Sequence, residues 1–280
     1  MICGGVTVDN RPIGVFDSGL GGLTAVRHLK NLLPNENIVY FGDTGRVPYG
    51  TRSRETIRRY AAEDCGLLLK HDVKYIIAAC GTVSSVAADI LDGLSVPAVG
   101  VVEPTAKAAV KATKNQKIGI LGTSATIRSA SFEKAIKAID PAIEVVATPC
   151  PLFVSLVESG WIQPDDSVAV PMVKRYLKDV KAAGVDTLIL GCTHFPLLAP
   201  IIQAELGDTV TLIDSGRETA ALCAEELANN NALTDRIGGT TKFYVSDQPE
   251  GFSQVAEIFL GESVEQSVDR VRPDKIKENV

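Results

Sequence analysis

The chain has 280 residues, 45% apolar and 22% charged, with 28 Lys plus Arg against 34 Asp plus Glu and a net charge of −6. This is the composition of a folded globular protein of one large or two ordinary domains, and its acidic balance supplies no overall field for nucleic acid or an anionic membrane. No apolar run approaches bilayer-spanning length, the N-terminus lacks the basic start and apolar run of a signal peptide, and six cysteines are too sparse for a disulfide scaffold. A cytoplasmic setting with reduced thiols is therefore expected, in which any special cysteine is chemical or metal-binding.

In chain order, strands are predicted at Ile13–Phe16 and Asn37–Phe41, then an amphipathic helix over Ser53–His71. Strands at Tyr75–Ala79, Ala98–Val102, Ile118–Leu121 and Ile143–Ala147 follow. A helix over Asp165–Ala183 opens with Pro164 and an acidic cap. Strands at Thr187–Leu190 and Val210–Ile213, a helix at Arg217–Asn229, a strand at Lys242–Val245 and a helix at Gly251–Leu260 complete the pattern. The charged end, Arg272–Val280, is expected to fray. The strands are continuous apolar runs, as parallel strands covered on both faces require, and the class is α/β.

The first half recurs in the second. IGVFDSG at 13–19 resembles IGILGTS at 118–124, and NIVYFGDT from Asn37 resembles IEVVATPC from Ile143. YIIAACGT at 75–82 resembles TLILGCTH at 187–194, and VGVVEP at 99–104 resembles TLIDSG at 211–216. Two similar α/β units with mostly parallel sheets are predicted. Residues 105–212 would form the second, and 213–280 would return to pack on the first, 1–104.

Ligands of open α/β sheets bind beyond the carboxyl ends of the strands, so the site is expected in the cleft between the units. Cys80 and Cys192 end equivalent strands, each closely followed by a threonine. Units facing each other would bring these thiols to opposite sides of a ligand. Inverting a stereocentre by proton transfer needs that arrangement: a base on one face, an acid on the other, the roles exchanged in reverse. A helix N-terminus after the strand would favour a thiolate. Cys3, Cys65, Cys150 and Cys223 read as buried hydrophobes, and Thr44 as the counterpart of Cys150. Cys80, Cys192 and His194 could in principle hold zinc, but no CxxC or HxxxH spacing occurs and no metal is expected.

Asp17-Ser18-Gly19-Leu20-Gly21-Gly22 is a Gly-rich strand-to-helix turn. Thr24 replaces the third glycine of a dinucleotide fingerprint and no P-loop lysine follows. Its amides would hold a small carboxylate, form a tight turn capped by Asp or Ser, or do both at once. His194 reads as a partner or proton shuttle for Cys192, and His28 and His71 as surface residues. From position alone Asp43 and Glu158 are surface carboxylates.

These stretches resemble the glutamate racemase family of the Asp/Glu racemase superfamily. The resemblance rests on IGVFDSGLGGLTAVRHL at 13–29, YFGDTGRVPYGTRS at 40–53, AACGTVSS at 78–85, GVVEP at 100–104, LGTSATIRS at 121–129, PLFVSLVESG at 151–160 and LGCTHFPLL at 190–198. It implies two pseudo-symmetric α/β domains with the active site between them and no cofactor. It also implies interconversion of L- and D-glutamate for peptidoglycan synthesis, and a homodimer. By that likeness Cys80 would handle the α-proton of D-glutamate and Cys192 that of L-glutamate. Asp17 and His194 would assist them, with Asp43 and Glu158 as further acidic groups. Ser18, Tyr49, Gly50, Gly81, Thr82, Thr123, Thr126 and Thr193 would line the substrate, alongside Asp17 and His194.

One departure stands out. The family's usual pattern after the first cysteine is Asn-Thr, and here Gly81 precedes Thr82. The missing amide removes a hydrogen bond of about 0.5–1.5 kcal/mol, with water, Ser84 or Ser85 the candidates to replace it. Gly81→Asn is accordingly expected to alter KM more than kcat. A racemase of aspartate or another acidic amino acid is the alternative enzyme, and a non-catalytic acidic-amino-acid-binding protein the alternative of another class. No basic stretch or aromatic platform supports nucleic-acid binding.

Overall fold

The computed structural model describes residues 8–247, 249, 252–262, 264 and 268–273. Cys3, Gly251 and the end of the chain beyond Pro273 lie outside them.

The first unit runs β1 (Ile13–Asp17), α1 (Leu23–Leu32), β2 (Ile38–Gly42), α2 (Arg54–Lys70), β3 (Tyr75–Ala78), α3 (Gly81–Val86), α4 (Ala88–Asp92) and β4 (Ala98–Gly100). Helix α5 (Val102–Ala112) leads to the second: β5 (Lys117–Gly122), α6 (Ser124–Ser129), α7 (Ser131–Ile139), β6 (Glu144–Pro149), α8 (Phe153–Glu158), α9 (Ala169–Ala183), β7 (Thr187–Leu190), α10 (Ala199–Leu206) and β8 (Thr211–Asp214). Helix α11 (Ser215–Asn229), β9 (Thr241–Val245), α12 (Phe252–Leu260) and β10 (Val268–Arg270) follow.

Among the described residues one sheet has the order β10-β9-β2-β1-β3-β4 and the other β6-β5-β7-β8, with every pairing parallel. The strand order β2-β1-β3-β4 is repeated by β6-β5-β7-β8, so both units share one winding. The returning segment adds β9 and β10 to the free edge of β2.

Burial explains the elements. β1, β2, β3 and β7 are buried at every position, as central parallel strands must be. β6 has only half-buried and exposed positions because it is a sheet edge. Helix α2 starts where the Ser53 hydroxyl accepts the Thr56 N–H at 3.2 Å. Helix α9 begins at Ala169, after the predicted Asp165, because Asp166 Oδ1 accepts the N–H groups of Val168 and Ala169 at 2.8 and 2.7 Å.

The predicted strand at Ala98–Val102 ends at Gly100, and Val102 already belongs to α5. The repeat also aligns differently. Asp43 N–H donates to Asp17 at the end of β1, and Cys150 N–H donates to Gly122 at the end of β5. The counterpart of Cys150 is therefore Asp43, one residue before Thr44.

Candidate active site

The C-terminal ends of both sheets converge on a cavity of about 170 Å³. That is below the roughly 300–1,000 Å³ of sites for drug-sized ligands and suits a small molecule. Ser18, Tyr49, Gly50, Cys80, Gly81, Thr82, Thr123, Cys192, Thr193 and His194 line it, so most of the sequence-predicted residues meet here. Val47, Pro48, Thr51, Ser124, Cys150, Pro151, Val154, Ser155 and Gly191 complete the wall. Asp17, Asp43, Thr126 and Glu158 stand behind it.

Cys80 is the N-cap residue of α3 and is almost fully buried. Its Sγ donates to Ser18 Oγ at 3.5 Å. Burial and the nearby Asp17 carboxylate push the thiol up to about 12, against the smaller opposing pull of Ser18 and the Val83 amide. The helix start predicted to favour a thiolate is thus outweighed by desolvation.

Asp17 is fully buried beneath the Gly-rich turn. Its Oδ2 accepts the Gly19 N–H at 3.2 Å, and Oδ1 has no hydrogen-bond partner. Burial raises its pKa, while the charge of His194 and the amides of Gly22, Gly19 and Ser18 pull it back. The internal use foreseen for this turn is present: the Gly19 amide donates to Asp17. Tyr40 fixes the loop by donating to the Gly19 carbonyl at 2.8 Å. Gly21 allows the turn to close on the second unit, since a Cβ there would overlap Thr193 and His194.

Cys192 and His194 form the opposite wall. His194 Nδ1 lies 4.0 Å from Cys192 Sγ and 3.3 Å from Thr193 Oγ1, while Nε2 lies 3.0 Å from Glu158 Oε1. Burial opposes a charge on this ring, but the contacts with Cys192 and Glu158 prevail and raise it to about 10. These contacts favour the protonated ring. Glu158 stands on the ring's outer side, partly in solvent.

Three threonines tie the units together. Thr82 Oγ1 lies 3.1 Å from Thr123 Oγ1, which lies 3.0 Å from Thr126 Oγ1. Thr123 also caps α6 by accepting the Thr126 N–H at 3.2 Å.

Several sequence expectations are corrected. Asp43 is not a surface group: it is buried, and its Oδ2 accepts from Arg46 Nε at 2.5 Å and from the Tyr49 hydroxyl. His28 is half-buried, with Nε2 3.0 Å from Asp214 Oδ2. His71 stacks on Tyr244 with ring centroids 4.5 Å apart. Ser84 is committed to the Ala78 carbonyl and the Val101 N–H, Ser85 accepts from Ser131, and neither lines the cavity. Cys150 is buried but lines the cavity, a position visible only once the repeat is aligned through Asp43. Among the described residues no three His, Cys, Asp or Glu side chains are grouped to hold a metal, and no helix is long and apolar enough to cross a membrane.

Two like-wound parallel units each offer a thiol from the same strand end to one small cavity, the fold and site of the amino-acid racemase class. The chain belongs to the Asp/Glu/Hydantoin racemase family, whose profile matches residues 20–223. It is 47% identical over 253 residues to a glutamate racemase of Geobacter metallireducens, spanning 90% of this chain and 93% of that one. The crystal structure of a glutamate racemase isoform from Bacillus anthracis superposes with a TM-score of 0.90 at 38% identity, covering 94% of this chain and 98% of that one. The glutamate racemase of Francisella tularensis, solved with D-glutamate, gives 0.88 at 38% identity, covering 95% and 99%.

Proposed function

We propose that this enzyme is a glutamate racemase that interconverts L- and D-glutamate with two cysteines and no cofactor. The observation that carries the reading is the thiol pair: Cys80 and Cys192 end equivalent strands, β3 and β7, and line one cavity from opposite units.

In the L-to-D direction Cys192 takes the α-proton as a thiolate, with the His194 cation beside it. Cys80, a neutral thiol at rest, gives its proton to the other face of the α-carbon. One S–H bond forms at Cys192 and one breaks at Cys80. The reverse reaction starts with the two protonation states exchanged. Asp17 lies on the Cys80 side and also supports the charge of His194. Glu158 orients His194 from outside. Asp43 is a positioning residue that holds Tyr49 and Arg46.

The carbanion has no covalent electron sink, so its charge is met by preorganised donors in a desolvated cleft. Ser18, Thr82, Thr123 and Thr193, with the backbone at Gly50 and Gly81, are the groups assigned to the substrate's carboxylates and ammonium. Thr126 braces Thr123. The division into residues 1–104 with 213–280, and 105–212, is part of this reading; the sheet membership supports it except that β8, Thr211–Asp214, carries the second sheet two residues past 212.

The peptidoglycan role, a cytoplasmic location and a homodimer rest on likeness to the family. Proton NMR of L-glutamate in D₂O with the purified enzyme and no added cofactor, followed by chiral analysis, tests the activity. Loss of the α-proton signal with appearance of D-glutamate is expected. A folded sample giving neither sinks the assignment and turns attention to aspartate.

A further inference from the structure

A buried ionic cluster stands behind the cleft and ends in it. The loop from Asp43 to Gly50 supplies Val47, Pro48, Tyr49 and Gly50 to the cavity wall. Its Arg46 donates to three carboxylates: Asp43 through Nε at 2.5 Å, Asp64 Oδ1 through Nη2 at 2.9 Å, and Glu63 through Nη1. The guanidinium also lies over the Tyr60 ring, 4.0 Å from its centroid. Asp43, Asp64 and Tyr49 are essentially inaccessible to water.

Counting protons shows what this cluster requires. The Tyr49 hydroxyl meets Asp43 Oδ2 on one side and Asp64 Oδ2, at 2.9 Å, on the other. Two oxygen–oxygen contacts need two hydrogens, and a phenol has one. Ionised carboxylates only accept, so one of the aspartates supplies the second. The Asp43 oxygen that faces the phenol, Oδ2, already accepts from Arg46 Nε, which leaves the second hydrogen to Asp64. Asp64 divides its work: Oδ1 accepts from Arg46, and Oδ2 faces the phenol. Three ionised carboxylates around one guanidinium would also leave excess negative charge in a water-poor site, which is costly.

We propose that Asp64 is a positioning residue for the substrate cavity: its neutral carboxyl donates to the Tyr49 hydroxyl, which donates to Asp43, and this relay holds the Val47–Gly50 lip against the cleft. The proposal rests on the reading that this lip binds substrate. The charged and titratable groups facing Asp64 agree with it. From the loop these are Asp43, Arg46 and Tyr49, and from α2 itself Glu63 and Cys65. Burial first, then the charge of Asp43, raises Asp64 well above the usual carboxylate range, against the pull of Arg46 and Tyr49.

The test compares Asp64→Asn, Asp64→Ala and Asp43→Asn. An asparagine at 64 reproduces the relay, its oxygen accepting from Arg46 and its N–H donating to Tyr49. For L-glutamate, KM in Asp64→Asn should stay within about threefold, while Asp64→Ala and Asp43→Asn raise it about tenfold or more with smaller changes in kcat, as loss of one buried hydrogen bond implies. Difference infrared spectroscopy reads the proton directly and independently of any substrate. The carbonyl stretch of a protonated carboxylic acid near neutral pH should be present in the parent enzyme and disappear in Asp64→Asn. Persistence of that band in Asp64→Asn, or an Asp64→Asn enzyme as impaired as Asp64→Ala, overturns the relay. If Asp64→Ala does not fold, the isosteric Asp64→Asn and the infrared band still decide. A protein lacking activity on glutamate but showing the band loss would fail the functional reading and keep the relay.

Discussion

Gly81 and Gly191 meet backbone to backbone across the floor of the cleft, so closely that a Cβ built on Gly81 would overlap the Gly191 carbonyl oxygen. Gly81 follows one thiol and Gly191 precedes the other. Their contact therefore sets the separation of Cys80 and Cys192. A carbonyl oxygen in a strand connection cannot swing aside as a long side chain can. Any side chain at 81 must wedge the two units apart.

This changes the outcome expected for Gly81→Asn. The loss of an amide contact pointed to KM, but the backbone contact points to kcat as well. Gly81→Ala and Gly81→Asn should both lower kcat by about 10- to 100-fold, because a misplacement of about 1 Å at reacting groups has effects of that size. Steady-state kinetics of the two variants checks it. An Asn variant with lower KM and unchanged kcat would mean that the units adjust freely and that the contact is not limiting.

Cys80 should be chemically quiet in the resting enzyme. Burial and Asp17 push its thiol up to about 12, which holds it as the neutral thiol at neutral pH. Alkylation by iodoacetamide, followed by peptide mass mapping, should label Cys80 far more slowly than a free cysteine peptide. The denatured chain should label it normally. Native labelling of Cys80 at the free-peptide rate would remove the neutral-thiol starting state and the direction assigned to it.

The thiol pair was legible because it sits in a repeat. Parallel central strands are continuous apolar runs, and those of β1, β3 and β7 are plain in the sequence, as is the cysteine that follows β3 and β7. The edges carried less signal. β10 is the three-residue stretch Val268–Arg270, and its short, charged sequence has no apolar period to read. The Arg46 cluster was missed because α2 reads as an ordinary amphipathic helix whose many charges face solvent. Its clue lay in the period: Ile57, Ala61, Asp64, Cys65 and Leu68 form one buried stripe. An aspartate inside an apolar stripe demands a partner, but which loop supplies that partner is fixed only by tertiary packing.

A second buried pair gives a stability prediction. Lys74 Nζ lies 2.7 Å from Glu36 Oε2, both side chains are nearly inaccessible, and Nζ also donates to the Asp9 and Ala232 carbonyls at 2.7 Å each. Lysine here joins the segment before β1, the start of β3 and the loop after α11. Lys74→Met leaves a buried carboxylate and two carbonyls without their cation, and should cost about 3–5 kcal/mol. Adding Glu36→Leu should recover part of that loss. Urea denaturation of both variants is the check, and a Lys74→Met change under about 1 kcal/mol would mean that water reaches Glu36.

The pair His194–Glu158 makes the activity and the stability depend on pH in a defined direction. Burial opposes the imidazolium, yet Cys192 and Glu158 hold it up to about 10, well above its unfolded value of about 6.5. A group raised on folding stabilises the native state fully below its unfolded value. It loses that contribution as pH rises through the folded value. Stability should therefore decline between about pH 6.5 and 10 in proportion to His194 deprotonation. Glu158→Gln keeps the shape and removes the carboxylate charge. Because the Glu158 side chain is 42% exposed, its effect is screened, and the variant should bring the transition to modestly lower pH. The alkaline limb of kcat should move to lower pH by the same amount, since the cation that accompanies Cys192 is lost earlier. NMR titration of the imidazole and the pH profile of kcat test the two halves together. A ring that still titrates near 10 in Glu158→Gln would assign its charge to Cys192 and Asp17 alone.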